Sequence, residues 1–400
     1  MAMAMSAAGC RVAVPVQARR TRRSSTKALG CAPRSAGAMS SVLSLAASSQ
    51  PLILKSGARN SSRLGRSSTS VRAAPTSAAA DGRQTVVITG CSSGLGLAAA
   101  KQLARSGKWY VVMANRDWAK SEKVAKDSGF PEGSYEIIHL DLASFASVRK
   151  FADELRSRLA AQGRTLDRLV ANAAVYLPLL TEPRFTADGY EVAMQTNHLG
   201  HFLLIHLLLD DLKKGTDPKC VVLGSVTGNS NTLAGKIPPQ ADLGNLAGFA
   251  QGFKAPVSMA DAGKFESPKA YKDAKVCNML TVRAMDKRFG DTGISFESLY
   301  PGCIAETQLF RNHNSFFRSV FPAFQKNITK GYVTEDEAGR RLMQVVTDPK
   351  YRKSNSYWSW KNEGELLVDS SLSSATQSEQ VMSDKLADDV YNYSVKLVGL

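Results

Sequence analysis

Short apolar runs rich in β-branched residues alternate with helix-length stretches from residue 85 onward. The runs at 85–89 (TVVIT), 109–114 (WYVVMA), 135–140 (YEIIHL), 168–173 (RLVANA), 219–225 (KCVVLGS) and 294–300 (ISFESLY) read as buried strands, with SYWSW at 356–360 as a final one. Such alternation predicts helices crossing between parallel strands. The expected fold class is therefore α/β, a Rossmann-like doubly wound parallel sheet in a single domain. The stretch from about Gln377 to Leu397 reads as a closing helix. The run FLLIHLLL at 202–209 is bounded by His201 and Asp210 and falls well short of the ~20 apolar residues a membrane span needs, so it predicts a core helix.

Two stretches break this rhythm. Residues 228–268 contain six Gly and four Pro with little periodicity, which predicts a long surface insertion. Residues 309–332 place Phe310, Phe316, Phe317, Phe321 and Phe324 among basic residues just after the last core strand, where an aromatic lid would stand beside a ligand.

Charge changes the picture at the N-terminus. The net charge is +16, yet residues 1–80 hold ten Arg, two Lys and no Asp or Glu, so they carry +12 and the rest only +4. A basic, Ser- and Ala-rich, acid-free leader matches an organelle transit peptide, disordered and cleaved near residues 70–82, ahead of a body spanning 81–400. No aromatic residue interleaves its charges, which argues against nucleic acid as a partner. Beyond the leader, Cys91, Cys220, Cys277 and Cys303 show neither paired nor metal-ligand spacing, so free thiols and no metal site are expected. His198, His201 and His206 have no acidic partner at ligand spacing and read as helix or interface histidines.

The chemistry starts in TGCSSGLG at 89–96, where a strand meets a glycine turn and then a helix. Gly90, Gly94 and Gly96 let the backbone approach a pyrophosphate, with Ser92, Ser93 and Leu95 between them and the positive end of the helix dipole facing the charge. Far downstream, Tyr271 and Lys275 stand four apart and share a helix face. A phenol near pKa ~10 is a poor acid at neutral pH, and a nearby ammonium is expected to lower that value and make the tyrosine a proton relay.

In order, TGCSSGLG, Asp141 in HLDL, Asn172 in NAA, Asn197 in TNHLGHFLL, Ser225 in LGSVTGN and Tyr271 with Lys275 resemble the motifs of the short-chain dehydrogenase/reductase family over about residues 84–305. The resemblance implies a catalytic tetrad of Asn197, Ser225, Tyr271 and Lys275, with Lys275 also holding the nicotinamide ribose. It places Asp141 at the adenine and Asn172 under the cofactor. After the second strand, Arg116 and Lys120 suit the 2′-phosphate of NADPH, where family members that use NAD carry an acidic residue. A surface pairing of Arg116 with Asp117 is the plainer alternative.

More narrowly, GSVTGNSNTLAGKIPP, AYKDAKVCNML, SLYPGCIAET, FQKNITKGYV, YWSW and the terminal KLVGL resemble the light-dependent NADPH:protochlorophyllide oxidoreductases. That family also carries an insertion between its Ser and Tyr, and often has Cys where Asn115 and Ala171 stand here. The resemblance implies light-driven reduction of the C17–C18 double bond of protochlorophyllide, in chlorophyll biosynthesis within the chloroplast. It implies a proton from the Tyr271 or the Cys303 position, and the sequence leaves both open. Tyr300, Phe316, Phe317, Phe321, Phe324 and Gln325 are expected to line or cover the pigment. Peripheral contact with plastid membrane lipids on the stromal side is expected through 309–332, and a homo-oligomer is compatible with the sequence. The competing readings are a plastid NADPH-dependent carbonyl reductase acting in the dark and a pigment-binding scaffold without turnover.

Overall fold

A computed structural model describes residues 81–304, 309, 332–360, 366–369 and 377–400. The leader 1–80, and with it the expected transit peptide, lies outside the described residues, as do Phe310, Phe316, Phe317, Phe321, Phe324 and Gln325 of the expected lid.

Eight strands form one sheet: β1 (Gln84–Thr89), β2 (Trp109–Asn115), β3 (Tyr135–His139), β4 (Arg168–Ala171), β5 (Lys219–Leu223), β6 (Ser295–Leu299), β7 (Ser356–Trp360) and β8 (Leu366–Asp369). Their spatial order is β3-β2-β1-β4-β5-β6-β7-β8. The first seven run parallel, and β8 pairs antiparallel with β7 along the outer edge. The chain winds outward from β1 to β3 and then returns to lay β4 on the other flank of β1. That reversal opens a crevice at the carboxyl ends of β1 and β4, where an open α/β sheet binds its ligands.

The strands are nearly all buried, because helices cover both faces of a parallel sheet. Successive residues point to opposite faces, so Val87, Val112 and Leu169 enter one apolar cluster while Val86, Val111 and Val170 enter the other. The first face packs against α3 (Phe145–Ala161), α4 (Gly200–Leu212), α5 (Ser267–Phe289) and the C-terminal α7 (Asp384–Val398), through Phe151, Phe202, Leu280 and Val390. The second packs against α1 (Gly94–Arg105) and α6 (Glu335–Thr347), through Leu103 and Leu342, with α2 (Trp118–Asp127) adding Ala125. Truncating a fully buried aromatic such as Phe202 to Ala would cost about 3–5 kcal/mol.

The stretch at 228–268 differs from the surface loop its composition predicts. Leu243, Leu246, Phe249 and Phe253 are buried in the main core, and the Phe249 ring stands 6.2 Å from that of Tyr393 on α7. Its backbone is irregular, with left-handed φ values at Leu246, Phe253 and Ala262, so its apolar residues carry no helix or strand period. The closing helix is likewise divided: Glu379–Met382 forms one turn, then Ser383 caps α7 by accepting from Leu386 N at 3.1 Å.

Candidate active site

The crevice is a cleft of about 960 Å³. Every described residue expected to bind cofactor lines it: Gly90, Ser92, Ser93, Gly94, Leu95, Gly96, Arg116, Lys120, Asp141, Asn172 and Lys275. So do Ser225, Tyr271, Tyr300 and Cys303. Asn197 does not; it sits fully buried behind the wall.

The glycine turn is built for close approach. A Cβ on Gly96 would lie 2.5 Å from Asn172 Nδ2 and 2.7 Å from Gly90 O, so a side chain there would drive the turn off the 172–173 loop. Gly90 adopts φ +68°, and its Cβ would meet Ala173 at 2.7 Å. Ser93 caps α1 without a side-chain hydrogen bond, and no acidic residue occupies the first turn. The helix therefore presents N–H groups and its positive dipole end to the cleft, as a pyrophosphate requires.

At the end of β2, Asn115 Oδ1 accepts from Cys91 N at 2.8 Å and fixes the start of the turn. Arg116 and Lys120 are exposed at the rim. The Asp117 carboxylate is turned into its own helix, accepting from Lys120 N at 2.9 Å as the N-cap of α2. Asp117 Oδ1 is thus engaged as a cap, and Arg116 and Lys120 line the cleft with Asp117 beside them. The cradle fits a dinucleotide phosphorylated on its adenosine ribose.

Beneath the cradle runs a network whose donors and acceptors can be assigned without ambiguity. Asn197 lies in a π-helical turn, Gln195–Leu199, a break in α-helical bonding that recurs at functional sites. Its amide clamps Val175 from both sides, Oδ1 accepting from Val175 N at 2.8 Å and Nδ2 donating to Val175 O at 3.0 Å. Its carbonyl contacts His201 Nδ1 at 3.1 Å, so that nitrogen must carry the proton. His201 Nε2, 2.8 Å from Thr89 Oγ1, is then an acceptor, and the Thr89 hydroxyl donates to it. The hydroxyl's lone pairs are left for Asn172 N at 2.9 Å and Ala173 N at 3.0 Å. Burial pushes His201 down to about 4, which keeps the ring neutral and this pattern in place.

The three histidines part company here. His198 and His206 bond to Ser394 and Tyr391 on α7, whereas His201 bonds Thr89, which anchors the 172–173 loop of the cleft. A sequence reading misses that role because Thr89 is 112 positions away.

On the far wall, α5 brings Tyr271 and Lys275 to the cleft. Lys275 Nζ donates to Leu223 O at 2.8 Å and stands 5.9 Å from the centre of the Tyr271 ring. Burial lowers the Lys275 pKa to about 8. The expected lowering of the phenol by this lysine is corrected by the geometry. Burial pushes Tyr271 well above its ordinary value, with the Tyr176 ring 4.7 Å away adding to the effect and a hydrogen bond from Ser225 opposing it. Ser225 in turn shares a 2.8 Å bond with Thr227 Oγ1 and caps the turn Val226–Gly228. Burial raises the Cys303 thiol as well, to about 12. Asp141, which lines the cleft, uses Oδ1 to accept from Ala143 N at 3.0 Å.

Comparison with known proteins agrees with this geometry. Residues 84–237 match the short chain dehydrogenase family. The chain is 56% identical to a chloroplastic protochlorophyllide reductase of Chlamydomonas reinhardtii, over 80% of this chain and 78% of that protein. It is 54% identical to protochlorophyllide reductase A of Arabidopsis thaliana, over 79% of this chain and 76% of that one. Among solved structures, the NADPH-bound carbonyl reductase from chicken fatty liver superposes with a TM-score of 0.51 at 19% identity, covering 71% of this chain and 98% of that one. The Pseudomonas aeruginosa RhlG/NADP complex gives 0.52 at 21%, covering 68% and 93%; these two likenesses speak to the fold. The chain belongs to the protochlorophyllide reductase family, within the short-chain dehydrogenases.

Proposed function

We propose that this chain reduces the C17–C18 double bond of protochlorophyllide with NADPH when the bound pigment absorbs light, a step of chlorophyll biosynthesis in the chloroplast. Membership of the family supports the substrate. The observation that carries the chemistry is one cleft that joins a phosphate cradle to Tyr271, Lys275 and Cys303.

Each residue has a role that follows from its contacts. Gly90 to Gly96 and the N-terminus of α1 would hold the pyrophosphate, Arg116 and Lys120 the 2′-phosphate, and Asp141 the adenine side. Lys275, anchored on Leu223 O, would hold the nicotinamide ribose. Asn172 would form the floor, fixed by Nδ2 to Thr89 O at 2.8 Å. Bound NADPH supplies a hydride. Tyr271 and Cys303 both line the cleft and are held protonated at neutral pH by burial, so either would give a proton to the neighbouring carbon. Ser225 orients the Tyr271 phenol through their hydrogen bond. Tyr300 offers an aromatic wall beside them.

Residues 1–80 would direct the chain to the plastid, and 309–332 would cover the pigment and touch membrane lipids on the stromal side as the chain self-associates. The test is illumination with NADPH deuterated at C4 on the transferred face. Chlorophyllide carrying one deuterium is expected in the light and none in the dark; turnover of a carbonyl substrate in the dark would favour the carbonyl reductase reading instead.

A further inference from the structure

Lys272, the residue after Tyr271, is only 7% exposed, yet it lines the cleft. Its Nζ donates to Ile237 O at 2.6 Å and Pro239 O at 2.7 Å, which ties the 228–268 segment to α5 as the cleft's outer wall. An ammonium has three N–H groups, and the third meets no acceptor among the described residues. Both partners are neutral carbonyls, so the charge is not balanced by them. The nearest carboxylate, Asp273, is already engaged: Oδ2 accepts from Lys269 Nζ at 2.7 Å and Oδ1 from Asp242 N at 2.9 Å.

The other cations lining the cleft are Arg116 and Lys120 at the phosphate end and Lys275 at the ribose position. Lys272 lies one turn before Lys275 on α5 but reaches the 228–268 wall, where Ile237, Pro238 and Ala234 also line the cleft. A partly desolvated positive charge with one donor to spare, set in an otherwise apolar wall, calls for an anionic group on a flat apolar ligand. Resting on the function proposed above, the substrate carries such a group, its free propionate carboxylate.

We propose that the Lys272 ammonium binds the substrate's carboxylate, and that Lys272 is thereby a specificity-determining residue that selects the free-acid pigment over its esters. The residue has two separable duties. Its bonds to Ile237 and Pro239 shape the wall for any pigment, while its charge acts only on an acid.

The test measures dark binding, with NADPH present, of protochlorophyllide and of its methyl ester to the full chain, to Lys272→Gln and to Lys272→Arg. The glutamine amide keeps two donors for the two carbonyls and removes the charge; the arginine keeps the charge. The wild-type chain is expected to prefer the acid about tenfold to a hundredfold, the range for a hydrogen bond between charged partners. Lys272→Gln should bind acid and ester equally, Lys272→Arg should keep part of the preference, and NADPH affinity should be the same in all three. An acid preference in Lys272→Gln equal to the wild type, or no preference in the wild type, overturns the proposal, whatever happens to affinity as a whole. A wild-type chain that binds neither pigment overturns the substrate reading itself, and this inference with it.

Discussion

Replacing Thr89 by Val keeps the shape of a fully buried side chain and deletes its hydroxyl. Besides a long 3.4 Å contact to Val170 O, three partners are affected. His201 Nε2, inside a ring 1% exposed, loses its donor and has no access to water, at a cost of about 1–3 kcal/mol for an unsatisfied buried group. Ala173 N loses its acceptor, but it borders the cleft and can recruit water, so about 0.5–1 kcal/mol is appropriate. Asn172 N keeps Val170 O at 3.1 Å and loses little. Thr89→Val should therefore destabilise the fold by about 1.5–4 kcal/mol. Thr89→Ser keeps the hydroxyl and drops one methyl, for about 1 kcal/mol. Urea unfolding followed by tryptophan fluorescence, at equal m-values, separates the two. Thr89→Val should also bind NADPH more weakly, because the 172–173 loop it anchors lines the cleft proposed to hold NADPH. A Val variant as stable as the Ser variant, with NADPH affinity unchanged, would refute the hydrogen-bond assignment through neutral His201.

The remaining expectations address the cradle and its charges. Gly96→Ala places a methyl 2.5 Å from Asn172 Nδ2, so NADPH affinity measured by nicotinamide fluorescence should fall at least tenfold, with about 1–3 kcal/mol of strain on the fold. Arg116→Ala should weaken NADPH by about tenfold to a hundredfold and leave NADH nearly unchanged; equal loss of both would remove the residue from the 2′-phosphate site. For Lys275, with its pKa lowered to about 8, the ammonium is present below that pH and lost above it. NADPH affinity should hence decline as pH rises from 7 to 9, and titration calorimetry should show that decline abolished in Lys275→Met. The same shift makes the unfolded chain the better proton binder between about 8 and the ordinary lysine value, so this group's contribution to stability rises with pH there.

Much of this was legible because burial on both faces leaves a plain mark: β1, β2 and β5 carry the apolar runs VVI, WYVVMA and CVVL, and β7 coincides with SYWSW. The edge strand β8 left no such mark, being four residues long and needing only β7 beside it. The glycine turn and the Tyr271–Lys275 pair were readable because their spacing is local. What the spacing did not convey is where the lysine points: it bonds Leu223 O on β5, and the phenol stays high. His201 and Lys272 escaped for a related reason, since each acts through a partner brought close only by the fold, Thr89 in one case and Ile237 with Pro239 in the other. The burial of Leu243, Phe249 and Phe253 within the otherwise largely exposed or half-buried 228–268 segment left no mark, because irregular backbone buries residues without any periodicity.

The most direct measurement mixes the chain from about residue 80 with NADPH and protochlorophyllide in darkness and records absorption before and after a single flash. A red shift of the pigment in the dark, followed by flash-dependent loss of protochlorophyllide and appearance of chlorophyllide, is the expected result. Pigment that binds and survives the flash unchanged would contradict light-driven catalysis in this cleft, and pigment that does not bind would contradict the substrate.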